Sequence, residues 1–134
     1  MKEFKPQALG SLVLRLSLGV MFLAHAGQKF FVFTLPGTAA FFASLGLPGV
    51  LAYPVFAAEL LGGIALLLGF RTRLVAAALL PVLIGASGAH LGNGWAFTSP
   101  HGGWEYPVFL ALTDLVLVLI GGGAFALTPS RDEV

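Results

Sequence analysis

Residues 50–70 read VLAYPVFAAELLGGIALLLGF, and the cations of RTR at 71–73 follow at once. Glu59 is the single charged residue within this run. A transmembrane helix needs about 20 consecutive, mainly apolar residues, so the run is long enough to cross a bilayer. It lacks the two-residue alternation of apolar and polar residues that marks a membrane β-strand, and it therefore predicts a helix.

Three further stretches of the chain have the same character, and they run over about 8–30, 74–91 and 106–127. We therefore predict an all-α integral membrane protein, in which a four-helix bundle occupies the whole chain, 1–134, as one domain. Between the first two spans, TAAFFASLGL (38–47) stands between two Pro-Gly pairs and is too short to cross a bilayer. This segment predicts a short interfacial helix, with Thr38 as its N-cap.

The composition indicates that lipid is the main solvent of this chain. Hydrophobic residues make up 57% of it and charged residues only 10%, against roughly 25% charged residues in soluble domains. The net charge of +1 and the lack of a basic stripe give no attraction toward nucleic acid. Because there is no cysteine, disulfides, thiol redox chemistry and cysteine-ligated iron–sulfur clusters are excluded.

Lysine and arginine residues predict the orientation in the membrane, because they collect in cytoplasmic loops. Lys2 and Lys5 precede the first span, and Arg71 and Arg73 lie between the second and third. Arg131 follows the fourth span. All of them fall on one side of a four-pass protein, so we expect both termini in the cytoplasm.

Ionisable residues within the spans are the first candidates for function, because each costs about 2.5–3.5 kcal/mol at the bilayer centre on insertion scales. Arg15 is expected to form a structural ion pair with a carboxylate of another helix, and we assign this partner as Asp114, with Glu59 as the alternative. If Asp114 takes Arg15, Glu59 lacks a cation at its depth. It is then protonated, or it faces His25, His90 or a ligand.

The other candidates lie toward the outer side of the membrane, and they are His25, Lys29, His90, Trp104 and Glu105. Together with Glu59 they predict an outward-facing polar pocket ringed by aromatic residues, which suits an amphiphile with a flat ring and carbonyls, such as a quinone. Lys29 can equally extend to the lipid headgroups by itself. The histidines at 25, 90 and 101 have no local metal-binding spacing, so no metal site is predicted.

Four stretches, in this order, resemble the DoxX family of small four-helix membrane proteins: RLSLGVMFLAHAGQKF (15–30), FFASLGLPG (41–49), AAELLGGIALLLGFRTRL (57–74) and GGWEYP (102–107). One departure is Ala26, which stands between His25 and Gly27 where the family pattern usually has His-Gly. The resemblance implies a redox setting, since the family takes its name from a subunit tied to a terminal quinol oxidase and to thiosulfate:quinone oxidoreductase activity. By position, the family's polar signature falls on Arg15, His25, Lys29, Glu59, Arg71, Thr72, Arg73, His90, Trp104 and Glu105.

The pocket and the resemblance lead to one functional hypothesis and two alternatives. The first is a redox-associated subunit in a bacterial or archaeal plasma membrane, which binds a quinone or quinol. There His25 or His90 would hydrogen-bond a carbonyl, and Glu59 would exchange protons with the ring. His25 and Glu59 would be the catalytic residues if the chain is part of a quinone-linked oxidoreductase. A partner redox protein would supply the electrons. The alternatives are a non-catalytic membrane adaptor or chaperone for a partner protein, and a carrier of a small molecule or ion, which would call for a homo-oligomer.

Overall fold

The structure, a computed structural model, describes residues 3–129 and has five α-helices and no strand in that range. The helices are α1 (Pro6–Gly27), α2 (Leu35–Ser44), α3 (Ala52–Leu68), α4 (Thr72–His90) and α5 (Glu105–Ile120). A π-helical turn, Gln28–Val32, continues α1, and 3₁₀ turns, Gly49–Leu51 and Leu91–Asn93, precede α3 and follow α4. The prediction of an all-α protein is confirmed.

Three helical stretches in the described part of the chain are long and apolar enough to cross a membrane. They are Pro6–Val32, Gly49–Leu68 and Thr72–Asn93. Each agrees with a predicted span to within a few residues. Length and hydropathy therefore located these three helices correctly, because a backbone in lipid must satisfy its own hydrogen bonds and a helix does so within one segment.

The fourth predicted span extends too far, and its last seven residues are not helical. α5 ends at Ile120 instead of near residue 127, and its 16 residues rise only about 24 Å, less than the ~30 Å of hydrocarbon in a bilayer. Gly121 and Gly123 follow with positive φ angles of 86° and 70°, which glycine adopts without a steric penalty. The chain leaves the helix here, and residues 121–129 form an irregular stretch that we call the C-terminal segment.

The short helix between the first two spans is present as α2, but it begins earlier than predicted. Its N-cap is Thr34, whose Oγ1 accepts a hydrogen bond from the backbone N–H of Gly37 at 3.2 Å. Thr38, the predicted N-cap, lies inside the first turn and donates its hydroxyl to the carbonyl of Thr34 at 2.8 Å. With 10 residues, α2 is too short to cross a bilayer.

The long helices pack mainly in two pairs, α1 with α3 and α4 with α5, while α3 also contacts α4 and α1 contacts α5 less extensively. Glycines bring α1 and α3 close together, since a Cβ on Gly19 would lie 3.1 Å from the carbonyl oxygen of Gly63. Small residues have this effect in lipid, where close packing rather than exclusion of water holds helices together. The buried core consists of Leu18, Phe22, Leu66, Ala76, Leu79, Leu83, Leu110 and Leu117.

Arg15 lies in this interior with 1% of its surface exposed. Its Nη1 donates to the carbonyls of Leu66 and Leu67, both at 2.8 Å, in the last turn of α3, where helix carbonyls carry partial negative charge. Its Nε donates to the carbonyl of Gly122 at 2.9 Å, and its Nη2 to that of Ala124 at 3.0 Å. One guanidinium group thus joins α1, the end of α3 and the C-terminal segment.

These four carbonyls accept the described hydrogen bonds of Arg15, and none of them belongs to Asp114, the partner predicted for its structural ion pair. Asp114 is fully buried on α5, and neither of its carboxyl oxygens has a hydrogen-bond partner among residues 3–129. Sequence reasoning considered only charged partners for Arg15. It could not anticipate backbone carbonyls that become available only where a helix ends.

Backbone hydrogen bonds hold the C-terminal segment against the helix ends. Its N–H groups donate to carbonyls of α1 and of the turn after α3: Ala124 to Ala8 at 2.9 Å, Leu127 to Leu68 at 3.1 Å and Thr128 to Gly69 at 3.0 Å. Gly69 has a φ of 69°, and a Cβ there would lie 2.6 Å from the Cα of Ala126. We call this end of the molecule the closed end; it contains the start of α1, the α3–α4 turn and the C-terminal segment.

Replacing Arg15 by lysine tests whether the guanidinium group holds the closed end together. Lysine keeps the positive charge but lacks the planar fork of donors that reaches several carbonyls at once. We expect the free energy of unfolding to fall by about 2–5 kcal/mol, as expected when hydrogen bonds to a charged group are lost. The measurement is unfolding by a denaturing detergent added to the protein in mild detergent.

The matched control is Arg71→Lys, the same change at an exposed arginine of the closed end. Its stability should remain close to that of the unchanged protein. Equal stability of the Arg15 and Arg71 variants would show that the carbonyls do not depend on the guanidinium group.

Candidate functional site

The predicted site residues other than Arg15 and Asp114 lie at the end of the molecule opposite the closed end, which we call the site end. His25 and Lys29 lie at the end of α1 and in the π-helical turn that follows it, and Glu59 lies in the first half of α3. His90 ends α4, and Glu105 begins α5. Because α1 and α4 run toward this end and α3 and α5 run away from it, residues far apart in sequence meet there.

Lys29 and Glu59 form an ion pair between the π-helical turn and α3. The Nζ atom of Lys29 donates to Oε1 of Glu59 at 3.0 Å and lies 2.9 Å from Oε2. The Glu59 side chain is 5% exposed and that of Lys29 is 19% exposed. Glu59 therefore has the cation that the sequence did not assign to it, and Lys29 contacts a carboxylate instead of extending alone to the headgroups. A π-helical turn often marks a functional site.

His25 lies one helical turn before Lys29 and contacts α5 through Tyr106. The centroids of the two rings are 6.4 Å apart and their planes meet at 73°, an edge-to-face arrangement. The Tyr106 hydroxyl donates to the Sδ atom of Met21 at 3.1 Å, and a thioether is a weak acceptor. Tyr106 is not among the site residues predicted from the sequence, and this contact was missed. The one indication in the sequence that Tyr106 belongs to the site was its position directly after Glu105.

The other two histidines do not join this group through any described contact. The Nδ1 atom of His90 is buried and has no hydrogen-bond partner in the described part of the chain. His101 is exposed in the loop between α4 and α5 and has a φ of 66°. Within residues 3–129, no three His, Cys, Asp or Glu side chains are grouped so that they could hold a metal ion.

The loop between α4 and α5 is closed by hydrogen bonds between its two ends. The backbone N–H of Trp104 donates to the carbonyl of Gly94 at 3.0 Å, and that of Glu105 donates to the carbonyl of Trp95 at 3.1 Å. Gly103 permits this approach, because a Cβ there would collide with the carbonyl of Trp95 and with the one after it. The loop therefore holds its two tryptophans at fixed positions beside the start of α5.

An open groove of about 690 Å³ lies between this loop and α5. Its lining residues are Trp95, Phe97, Trp104, Glu105, Tyr106, Val108, Phe109 and Leu112. The volume is within the range of about 300–1,000 Å³ that small-molecule sites occupy. We call it the aromatic groove.

The structure does not bring the six predicted ligand-binding residues into one cavity. Trp104 and Glu105 line the aromatic groove. The second group, which we call the ionisable cluster, consists of His25, Lys29 and Glu59 and does not line that groove. Tyr106 lines the groove and also contacts His25, so it lies between the two places.

Comparison with known proteins identifies the family. The DoxX family profile matches residues 10–91, which contain α1 to α4 almost completely. The chain belongs to the DoxX family. A protein of Bacillus subtilis (strain 168) with the name "Putative oxidoreductase CatD" is 35% identical to this DoxX protein over 127 residues, which cover 90% of this chain and 86% of the relative. No solved structure matches this chain. DoxX membership confirms the resemblance, and together with the three long apolar helices it agrees with an integral membrane protein.

A double-mutant cycle tests the ion pair of the ionisable cluster. Lys29→Gln and Glu59→Gln should each lower the free energy of unfolding, because each leaves the other charge unpaired in a poorly solvated place. The double variant should lose less than the sum of the two, with a coupling energy of about 0.5–3 kcal/mol, measured by unfolding in detergent.

The control cycle uses Glu3→Gln and Lys5→Gln, two exposed residues before α1. No salt bridge joins Glu3 to Lys5, and exposed ion pairs contribute little to stability, so little or no coupling is expected there. If the two cycles give the same coupling, the Lys29–Glu59 contact contributes nothing to stability.

Proposed function

We propose that this protein is a membrane redox-associated subunit, which binds a quinone or quinol at the ionisable cluster and works with a partner protein that supplies electrons. Two comparisons support a redox role, namely the DoxX family match and the relative whose name includes oxidoreductase. The observation that carries the proposal is the Lys29–Glu59 pair with His25 one turn away. Ionisable residues inside membrane-spanning helices are rare and are usually functional.

The donors and acceptors of the site end fit a quinone headgroup. His25 is the donor for one ring carbonyl. Tyr106 is a second donor, because a carbonyl is a better acceptor than the thioether that its hydroxyl now contacts. Glu59 is the group that exchanges a proton with the ring, and Lys29 holds that carboxylate in place. A bound quinone would supply the two-electron chemistry. Since the chain has no cysteine for a thiol couple, we assign the supply of electrons to the partner.

We further propose that α1, α3, α4 and α5 form a four-helix transmembrane bundle in a bacterial or archaeal plasma membrane, with both termini in the cytoplasm. The closed end carries Lys5, Arg71 and Arg73, and such an excess of basic residues is typical of the cytoplasmic side. Lys2 and Arg131, which also entered the prediction of orientation, lie outside the described residues. The lysine of the site end, Lys29, has its charge paired with Glu59.

Analysis of the ligand that copurifies with the protein tests the quinone proposal. The protein is purified from its native membrane in mild detergent and extracted with organic solvent, and the extract is analysed by mass spectrometry. We expect a quinone in near-stoichiometric amount, and we expect His25→Ala and Glu59→Gln to lose it. His101→Ala and Glu3→Gln make the same changes at exposed residues and should retain it.

The negative outcome of this experiment also has a definite meaning. If the unchanged protein contains only bulk lipid, at the level of an unrelated membrane protein, the quinone proposal fails. The adaptor or chaperone for a partner protein then becomes the leading function, and the next step is to identify proteins that copurify with it.

Labelling of single cysteines tests the orientation, because the natural chain has none. Thr98→Cys lies in the loop at the site end, and Lys5→Cys lies before α1 at the closed end; both positions are exposed. On intact cells, a maleimide that cannot cross the membrane should label the cysteine at 98 and reach the one at 5 only after lysis. The reverse pattern would contradict the proposed orientation.

A further inference from the structure

We propose that the aromatic groove is a second binding site, which takes an amphiphile with a positively charged ammonium head and an apolar tail. This site is separate from the ionisable cluster, because His25, Lys29 and Glu59 do not line the groove, and it shares Tyr106 with the quinone site proposed there. The inference depends on three properties of the groove: its aromatic rings, its single charge and its apolar extension along α5.

Aromatic rings surround the end of the groove that lies at the loop. Trp95, Trp104 and Tyr106 all line it. The faces of tryptophan and tyrosine rings attract cations, and quaternary ammonium groups are commonly recognised by several such rings together. The backbone hydrogen bonds that close the loop fix the backbone at Gly94, Trp95, Trp104 and Glu105 before any ligand arrives, so that only the side chains would need ordering on binding.

Among the described residues 3–129, Glu105 is the one charged residue that lines the groove. Within the described residues it takes part in no ion pair, and Lys29 of the site end already pairs with Glu59 at 2.9 Å. A partly buried carboxylate beside aromatic rings is complementary to a cation. It is a poor partner for a quinone, because quinone carbonyls and an ionised carboxylate are both acceptors.

The groove continues along α5 as an apolar surface. Phe109 and Leu112 follow Glu105 at intervals of about one helical turn and therefore share its face, over about 10 Å. Their exposed fractions are 66% and 56%, so an alkyl chain can lie against them. A phospholipid would also bring a phosphate, for which no lysine or arginine lines the groove. The charges therefore favour a simple alkylammonium ion over a phospholipid.

Intrinsic fluorescence measures binding at this site directly, because the two tryptophans of the chain, Trp95 and Trp104, both line the groove. The full-length protein in nonionic detergent is titrated with decyltrimethylammonium. The comparison probe is the uncharged analogue in which carbon replaces the nitrogen. We expect a saturable change with the ammonium probe, and binding of the uncharged probe that is weaker by at least about tenfold.

Two substitutions locate the binding at the groove. Glu105→Gln should weaken binding of the ammonium probe by about tenfold or more, whereas Glu3→Gln, at an exposed carboxylate near the closed end, should leave it unchanged. If Glu105→Gln does not fold, Trp95→Leu serves instead. This exposed residue can be changed without disturbing the core, and Trp104 still reports binding.

Three results would overturn the proposal: equal affinity for the charged and uncharged probes, no effect of either groove substitution, or saturable binding of phosphatidylcholine vesicles without binding of the alkylammonium ion. The last would identify the site as one for phospholipid. The Glu105→Gln protein is also analysed for copurified quinone, which it should retain. If the unchanged protein contains quinone but does not bind the ammonium probe, only the groove proposal fails. If it binds the ammonium probe but contains no quinone, only the quinone proposal fails.

Discussion

The hydrogen bonds of the Arg15 guanidinium are the interaction on which the rest of this structure depends. A cation in an apolar interior needs partners, and four backbone carbonyls of the described residues accept hydrogen bonds from this one. A planar guanidinium group donates hydrogen bonds only in fixed directions. It therefore requires α3 to end where its last carbonyls reach Arg15, and it requires the chain after α5 to be irregular so that Gly122 and Ala124 can turn their carbonyls inward. The closed end follows from this single side chain.

The two cations of the first helical stretch connect α1 to α3 at two depths. Arg15 contacts the end of α3, Lys29 contacts Glu59 near its beginning, and Gly19 lies against Gly63 between them. α1 and α3 thus form a unit with charge-assisted contacts at both ends. α5 meets α1 through weaker bonds, including the one from Tyr106 to Met21. The ionisable cluster therefore rests on two helices that charge-assisted contacts join, as precise positioning of a proton-exchanging group requires.

The site end separates two kinds of chemistry. The ionisable cluster offers hydrogen-bond donors next to a carboxylate that is already paired, and this set suits a ligand with carbonyl groups. The aromatic groove offers ring faces and the carboxylate of Glu105, and this set suits a cation. The two sets adjoin at Tyr106, which lines the groove and contacts His25. The loop between α4 and α5, which closes on itself at Gly94 and Gly103, carries both tryptophans of the groove.

The sequence by itself determined that the chain is all-α, where α1, α3 and α4 lie, and which polar residues are candidates for function. It could do so because a long apolar run in lipid has one way to satisfy its backbone, and because a charge in such a run is costly enough to be noticed. Only the tertiary structure decided where α5 ends, which carboxylate has a cation and how the candidates divide between two places. These features depend on contacts between distant positions: Arg15 meets Gly122 across 107 residues, and Lys29 meets Glu59 across 30. Local periodicity carries no information about such meetings, because they are set by which helix faces pack together.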